Sequence, residues 1–273
     1  LDKIDQAEGL RRILCGAKPR FITFLSALSN EEKNATVVNL SAGLGQLGNE
    51  VLLLDMRSNA VNQPSVINWL EAGISSTLVD VAKQKTSIEQ AIQVTTQGFK
   101  LVSFCRDPHT NVVFEPTKSL LIKLNKLVEE LGKGVDIVLV DGELSDLHGL
   151  TTEILNDGEI VILVTNHPDS IKSAYSLIKR AHGKLGRRSY GILVTGVNEE
   201  EAQRVYDVIA QVAGNFLSVP LCFMGYVPQD DYLRRASMSG ITVLDAFPKA
   251  VASRAFARLA QQLLHTNEVA LSD

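Results

Sequence analysis

Short apolar runs alternate with segments of helical periodicity along the chain. The runs fall at residues 21–25, 51–54, 99–104, 137–140, 160–164, 190–194 and 221–227. Between them, apolar residues recur at three- and four-residue steps over 36–47, 118–131, 171–181, 199–212 and 251–264, which predicts helices. Several runs are apolar at nearly every position, the mark of parallel strands covered on both faces. No repeat, low-complexity tract or Pro/Gly-rich linker interrupts the alternation. The pattern therefore predicts an α/β fold with a single doubly wound, mostly parallel sheet and helices on both faces. Ligands in such sheets bind outside the carboxyl ends of strands, where Asp55, Asp141 and the loop after Leu25 should converge.

Composition narrows the function classes. The 273 residues are 45% hydrophobic, enough to bury one large core, and the formal net charge of −4 offers no argument for nucleic acid or an anionic membrane. Cys15, Cys105 and Cys222 are far apart and lack metal-ligand spacing, as expected of idle thiols in a reducing compartment. The five histidines, His109, His148, His167, His182 and His265, are scattered and form no metal or nucleophile motif. No apolar stretch approaches the length of a membrane span, and no signal peptide opens the chain. A cytoplasmic protein is expected, and a chain opening on Leu1 leads us to expect further native sequence before it.

The first candidate site follows the first apolar run. Residues 26–40 read SALSNEEKNATVVNL and lead through a helical segment to VLLLD at 51–55, the frame of a nucleotide-binding βαβ unit. A phosphate-binding loop there reads S-G-K-G-G-V-G-K-T-T, in which glycines allow tight turns, backbone N–H groups and a lysine surround the phosphates, and a hydroxyl holds Mg²⁺. Lys33 is in place, but Leu28, Ser29, Asn30, Glu32 and Asn34 fill the positions of the first lysine, three glycines and the metal-binding threonine. Glu31 and Glu32 would set carboxylates where phosphates belong, and like charges about 4 Å apart repel by roughly 4 kcal/mol at an effective dielectric of 20. Read plainly, NEEK is also just a solvated loop with good helix N-terminal acids. Both readings predict poor ATP binding.

The order of this loop, VLLLD, IVLVD at 137–141 and VILVTNHPDSIKSAYSLIK at 161–179 resembles the MinD/ParA group of deviant P-loop ATPases. More specifically, it resembles the FlhG/FleN flagellar-number regulators. DQAEGLRR at 5–12, TLVDVAKQKTSIEQAI at 77–92 and EEEAQRVYDVIAQVAGNFLSVPLCFMGYVPQDDYLRRAS at 199–237 extend the likeness over nearly the whole chain. The resemblance implies a nucleotide site at Lys33, Asn34, Asp55, Asp141 and Asn166, and it exposes further losses. Arg57 stands where the family's second aspartate positions the attacking water. Leu28 cannot act as the lysine that crosses an ATP-bound dimer, and Gly142, Glu143, Leu144 and Ser145 replace the family's S-P-A-G switch. Thr195 stands where an asparagine often reads the base. For Lys33, Asp55 and Asp141, capping of helices and loop N–H groups is the ordinary alternative.

Residues 1–17 form a separate element in this reading, ahead of an α/β domain at 18–273. Leu1, Ile4, Ala7, Leu10 and Leu14 recur at helical steps, with Asp2 and Asp5 early and Arg11 and Arg12 late, which predicts a short amphipathic helix. The resemblance implies that Asp5, Gln6, Ala7, Leu10 and Arg11 contact a partner, with Gln6 directed toward the nucleotide of an FlhF-like GTPase. A flagellar transcription regulator is the other partner it implies. Near the carboxyl end, Phe256, Leu259, Leu263 and Leu264 repeat at core spacing while Arg254 and Arg258 face solvent, so a packed helix is expected and no direct membrane anchor. Residues 106–116, RDPHTNVVFEP, read as a loop at a strand end.

These residues lead to an expected non-hydrolysing regulator that acts by protein binding, needs no cofactor and does not bind nucleic acid directly. The alternative is a divergent ATPase that uses ATP and Mg²⁺ to control dimerisation; whether the chain forms a homodimer stays open. A scaffold without a flagellar role is a third reading, because one fold serves many functions.

Overall fold

The computed structural model describes residues 18–56, 66–70, 76–105, 117–142 and 158–270. Asp5, Gln6, Ala7, Leu10, Arg11, Arg57, the 106–116 loop and Glu143, Leu144 and Ser145 lie outside the described residues.

An eight-stranded sheet in the order β3-β4-β2-β5-β1-β6-β7-β8 forms the centre. The strands are β1 (Arg20–Ser26), β2 (Val51–Asp55), β3 (Ile92–Val94), β4 (Lys100–Ser103), β5 (Ile137–Asp141), β6 (Glu159–Val164), β7 (Tyr190–Thr195) and β8 (Leu221–Val227). All pair in parallel except β3, which runs antiparallel along the edge of β4. Every apolar run of the sequence is a strand or contains one. β3 is an addition, three residues that are at most half buried.

Alternating side chains build two cores. Leu52 and Leu54 of β2 and Val138 and Val140 of β5 point to one face, and Val51, Leu53, Ile137 and Leu139 point to the other. The first face is covered by α3 (Leu78–Ala82), α5 (Lys118–Gly132), α6 (Pro168–Leu185) and α7 (Glu199–Leu217). The second is covered by α1 (Asn30–Gln46) and α10 (Val251–Ala270), with α2 (Val66–Trp69), α8 (Asp231–Met238) and α9 (Val243–Ala246) around them. The remaining helix, α4 (Ile88–Ala91), leads into β3.

Helix α1 departs from the expected boundary. Helical periodicity begins at Thr36, yet the helix begins at Asn30, so NEEK is its first turn and not a loop. The cause is burial on nearly all sides: Lys33, Asn34, Thr36, Asn39 and Ser41 are buried beside the apolar residues, which erases an amphipathic stripe. Thr36, Asn39 and Ser41 satisfy themselves by donating to carbonyls one turn back, at 2.7–2.9 Å. The Asn39 Oδ1 also accepts the Val243 N–H at 2.8 Å, fastening α9 to α1. Phe256, Leu259 and Leu263 of α10 are buried on the same face, as their spacing predicts, while Arg254 and Arg258 are exposed.

One close approach limits substitution. A Cβ on Gly45, in the last turn of α1, would lie 2.9 Å from the Gly98 carbonyl oxygen. Gly45→Ala is therefore expected to lower stability by about 1–3 kcal/mol, although alanine favours a helix by about 1 kcal/mol over glycine. Urea denaturation measures this, and an unchanged or raised stability contradicts the packing described.

Candidate functional site

The carboxyl ends of β2 and β5 place two acids side by side. Asp55 and Asp141 end adjacent strands and are register partners, and both are buried. The ends are tied by Met56 N–H donating to the Asp141 carbonyl at 2.8 Å and Phe104 N–H donating to the Asp55 carbonyl at 2.8 Å. Lys33 comes down from α1 to meet Asp141. Its Nζ is 2.6 Å from Asp141 Oδ1, with side-chain exposures of 3% and 0%. An ion pair this deep is charge-assisted and unscreened, so each partner depends on the other.

The connection from β1 to α1 is occupied by the chain's own bonds. Ala27 N–H donates to the Leu163 carbonyl at 2.9 Å, and Leu28 N–H donates to Ser26 Oγ at 3.0 Å. Ser29 N–H and Ser29 Oγ–H both donate to Glu32 Oε2, at 3.3 and 2.7 Å, while Glu32 N–H donates back to Ser29 Oγ at 3.3 Å. This is a reciprocal capping box at the end of the helix that would otherwise present its N–H groups to an anion. Ser170 Oγ clamps the same turn to β6 by donating to the Ala27 carbonyl at 2.9 Å and accepting the Thr165 N–H at 3.0 Å. Leu28 packs against the second core.

Lys33, Asp55 and Asp141 are thus brought together, and Asn34, buried on α1, belongs to the same end of the sheet. Asn166 is exposed beyond β6 and does not line the cleft beside α1. That cleft has a volume of about 470 Å³ and lies between the first turns of α1 and helix α8, floored by the ends of β7 and β8. Its acids are Glu31, Glu32 and Asp230, its cation is Arg234, and Ala35, Val227, Pro228 and Leu233 give it an apolar wall. Thr195 closes β7 against it. Sequence reasoning singled out Thr195 and the two glutamates but not the α8 side. The signal for that side is a proline after a strand, followed by an aspartate that caps the next helix, where Asp230 Oδ1 accepts the Tyr232 N–H at 2.8 Å.

Among the described residues, no group of three or more His, Cys, Asp or Glu side chains is placed to hold a metal ion. None of the described helices is long and apolar enough to cross a membrane.

No family model matches the chain. It is 25% identical to the antiactivator FleN of Pseudomonas aeruginosa over 232 residues, covering 85% of this chain and 81% of that protein. It is 24% identical to the septum site-determining protein MinD of a Synechocystis strain, covering 89% of each. Among solved structures, the cell division ATPase MinD of Pyrococcus furiosus superposes with a TM-score of 0.65 at 19% identity, covering 90% of this chain and 99% of that one. A ParA family ATPase of Chlorobium tepidum superposes with a TM-score of 0.66 at 19% identity, with the same coverage. The chain is thus similar in sequence to FleN and MinD proteins and shares the fold of MinD and ParA ATPases.

Proposed function

We propose that this chain is a regulator built on the MinD/ParA fold that acts by protein binding without hydrolysing ATP. The observation that carries the reading is the 2.6 Å contact between Lys33 and Asp141. A lysine that serves a phosphate must leave its charge available to it, and here that charge is spent on a buried carboxylate. The N–H groups of Ala27, Leu28, Ser29 and Glu32 are likewise committed within the chain, and no threonine or serine stands at Asn34 to hold Mg²⁺. These residues do not fit a nucleoside triphosphate with its metal. We therefore derive no hydrolytic step.

The antiactivator FleN supplies the biological direction, since its name describes control through another protein. Control of flagellar number or placement is the corresponding proposal for this chain. Residues 1–17 would be its contact element, toward an FlhF-like GTPase or a flagellar transcription regulator. A second reading, a divergent ATPase with ATP-controlled dimerisation, draws on Asp55 and Asp141 meeting at the strand ends. It also draws on the fold shared with a Pyrococcus horikoshii MinD in complex with Mg-ADP, at a TM-score of 0.64 and 18% identity.

Stability distinguishes the two roles of Lys33. Without nucleotide, Lys33→Met and Asp141→Asn are each expected to cost about 3–5 kcal/mol by stranding a buried partner, and Lys33→Met combined with Asp141→Leu should recover part of that loss. Urea denaturation checks this; single variants as stable as the parent would return Lys33 to a ligand role. Calorimetric titration with ATP and ADP in the presence of Mg²⁺ is expected to give no binding heat at about millimolar nucleotide, roughly the −4 kcal/mol level of affinity. Micromolar binding that disappears in Lys33→Ala would overturn the proposal in favour of an ATP switch.

A further inference from the structure

The cleft beside the capped end of α1 carries a charge opposite to that required for a nucleotide. Three of its lining side chains are carboxylates, Glu31, Glu32 and Asp230, against one guanidinium, Arg234. That guanidinium already faces a further acid, with Arg234 Nη2 3.3 Å from Asp231 Oδ1. Glu32 is held by Ser29, and Asp230 is held by N–H donors from Tyr232 at 2.8 Å and Ala252 at 2.9 Å. These bonds fix the two carboxylates in place without removing their charge. Glu31, exposed in the first turn of α1, completes a negative rim.

A second observation comes from the floor. Thr195 is 7% exposed, lines the cleft, and its Oγ1 has no hydrogen-bond partner among the described residues. A buried hydroxyl without a partner is costly, and an incoming N–H donor would relieve it. The wall of Ala35, Val227, Pro228 and Leu233 suits an aliphatic stem. Together these features describe a receptor for a cation carried on an apolar chain, with donors and no acceptors at its tip, which is the chemistry of arginine.

We propose that this cleft receives an arginine side chain of a partner protein. The guanidinium would lie between the Glu31 and Glu32 carboxylates and donate to Thr195 Oγ1, with its methylenes against Val227 and Leu233. The inference rests on the reading above that the loop does not hold a triphosphate, and it gives the partner its recognition chemistry.

The test is an amide NMR titration of the full chain with N-acetyl-arginine amide. The control is N-acetyl-citrulline amide, which keeps the shape and loses the charge. The arginine compound is expected to shift the amides of Glu31, Thr195, Gly196 and Leu233 saturably at about millimolar concentration, and the citrulline compound to leave them unmoved. Glu31→Gln, an exposed change that spares the fold, should weaken the arginine compound about threefold. Thr195→Val, nearly isosteric, should weaken it as well. Equal response to the two compounds, no response to either, or insensitivity to both substitutions overturns the inference. Adenosine moving the same amides while the arginine compound does not also overturns it, in favour of a neutral ligand. The two proposals fail separately: Mg-ATP shifts in residues 29–36 that require Lys33 would defeat the regulator reading, whereas silence from both ATP and the arginine compound would defeat this inference alone.

Discussion

Lys33 and Asp141 hold the two halves of the site together. One is in the first turn of the helix after β1, the other ends a strand beside β1, and their contact ties the start of α1 to the sheet. A lone charge at either position would carry a desolvation penalty of several kcal/mol, so the pair constrains everything around it. Asp55 is fixed by register with Asp141, and the Met56 amide is fixed on the Asp141 carbonyl. The start of α1 is fixed by where Lys33 must point.

The turn before α1 follows from the same constraint. Once Lys33 is directed inward, the helix end is without the cation that would gather phosphates, and the chain supplies its own anion. Glu32 closes a capping box with Ser29, and Ser170 and Leu163 hold the turn against β6. Glycines are needed where backbone must wrap a ligand closely. The turn carries Ser29 and Asn30 in place of glycines, and Leu28 contributes its side chain to the second core. The sequence departures from a phosphate-binding loop thus read as one coordinated arrangement.

Much of the sheet was legible from the sequence because parallel strands buried on both faces leave continuous apolar runs, as at VLLLD and IVLVD. β3 was not, since a half-buried antiparallel edge strand of three residues, IQV, carries too short a pattern. The start of α1 was missed for the opposite reason: a helix buried all round has no polar face, and its Asn, Ser and Thr side chains imitate a loop. Ser29 and Glu32 stand at S-x-x-E spacing, so the capping box could have been read directly. The meeting of Asp55 and Asp141 followed from strand-end logic. The partnership of Lys33 with Asp141 could not be read from one chain, because it depends on which way a long side chain turns from α1.

Hydrogen–deuterium exchange of the amides from Glu32 to Thr36, with and without Mg-ATP, tests the central claim most directly. If the capped helix end and the Lys33–Asp141 pair are the resting and only arrangement of the site, the Lys33 amide, bonded to the Ser29 carbonyl at 3.0 Å, is already protected, and nucleotide changes none of these rates. Slower exchange on adding Mg-ATP, lost when Lys33 is replaced, would mean that the loop reopens for a phosphate and would contradict the account.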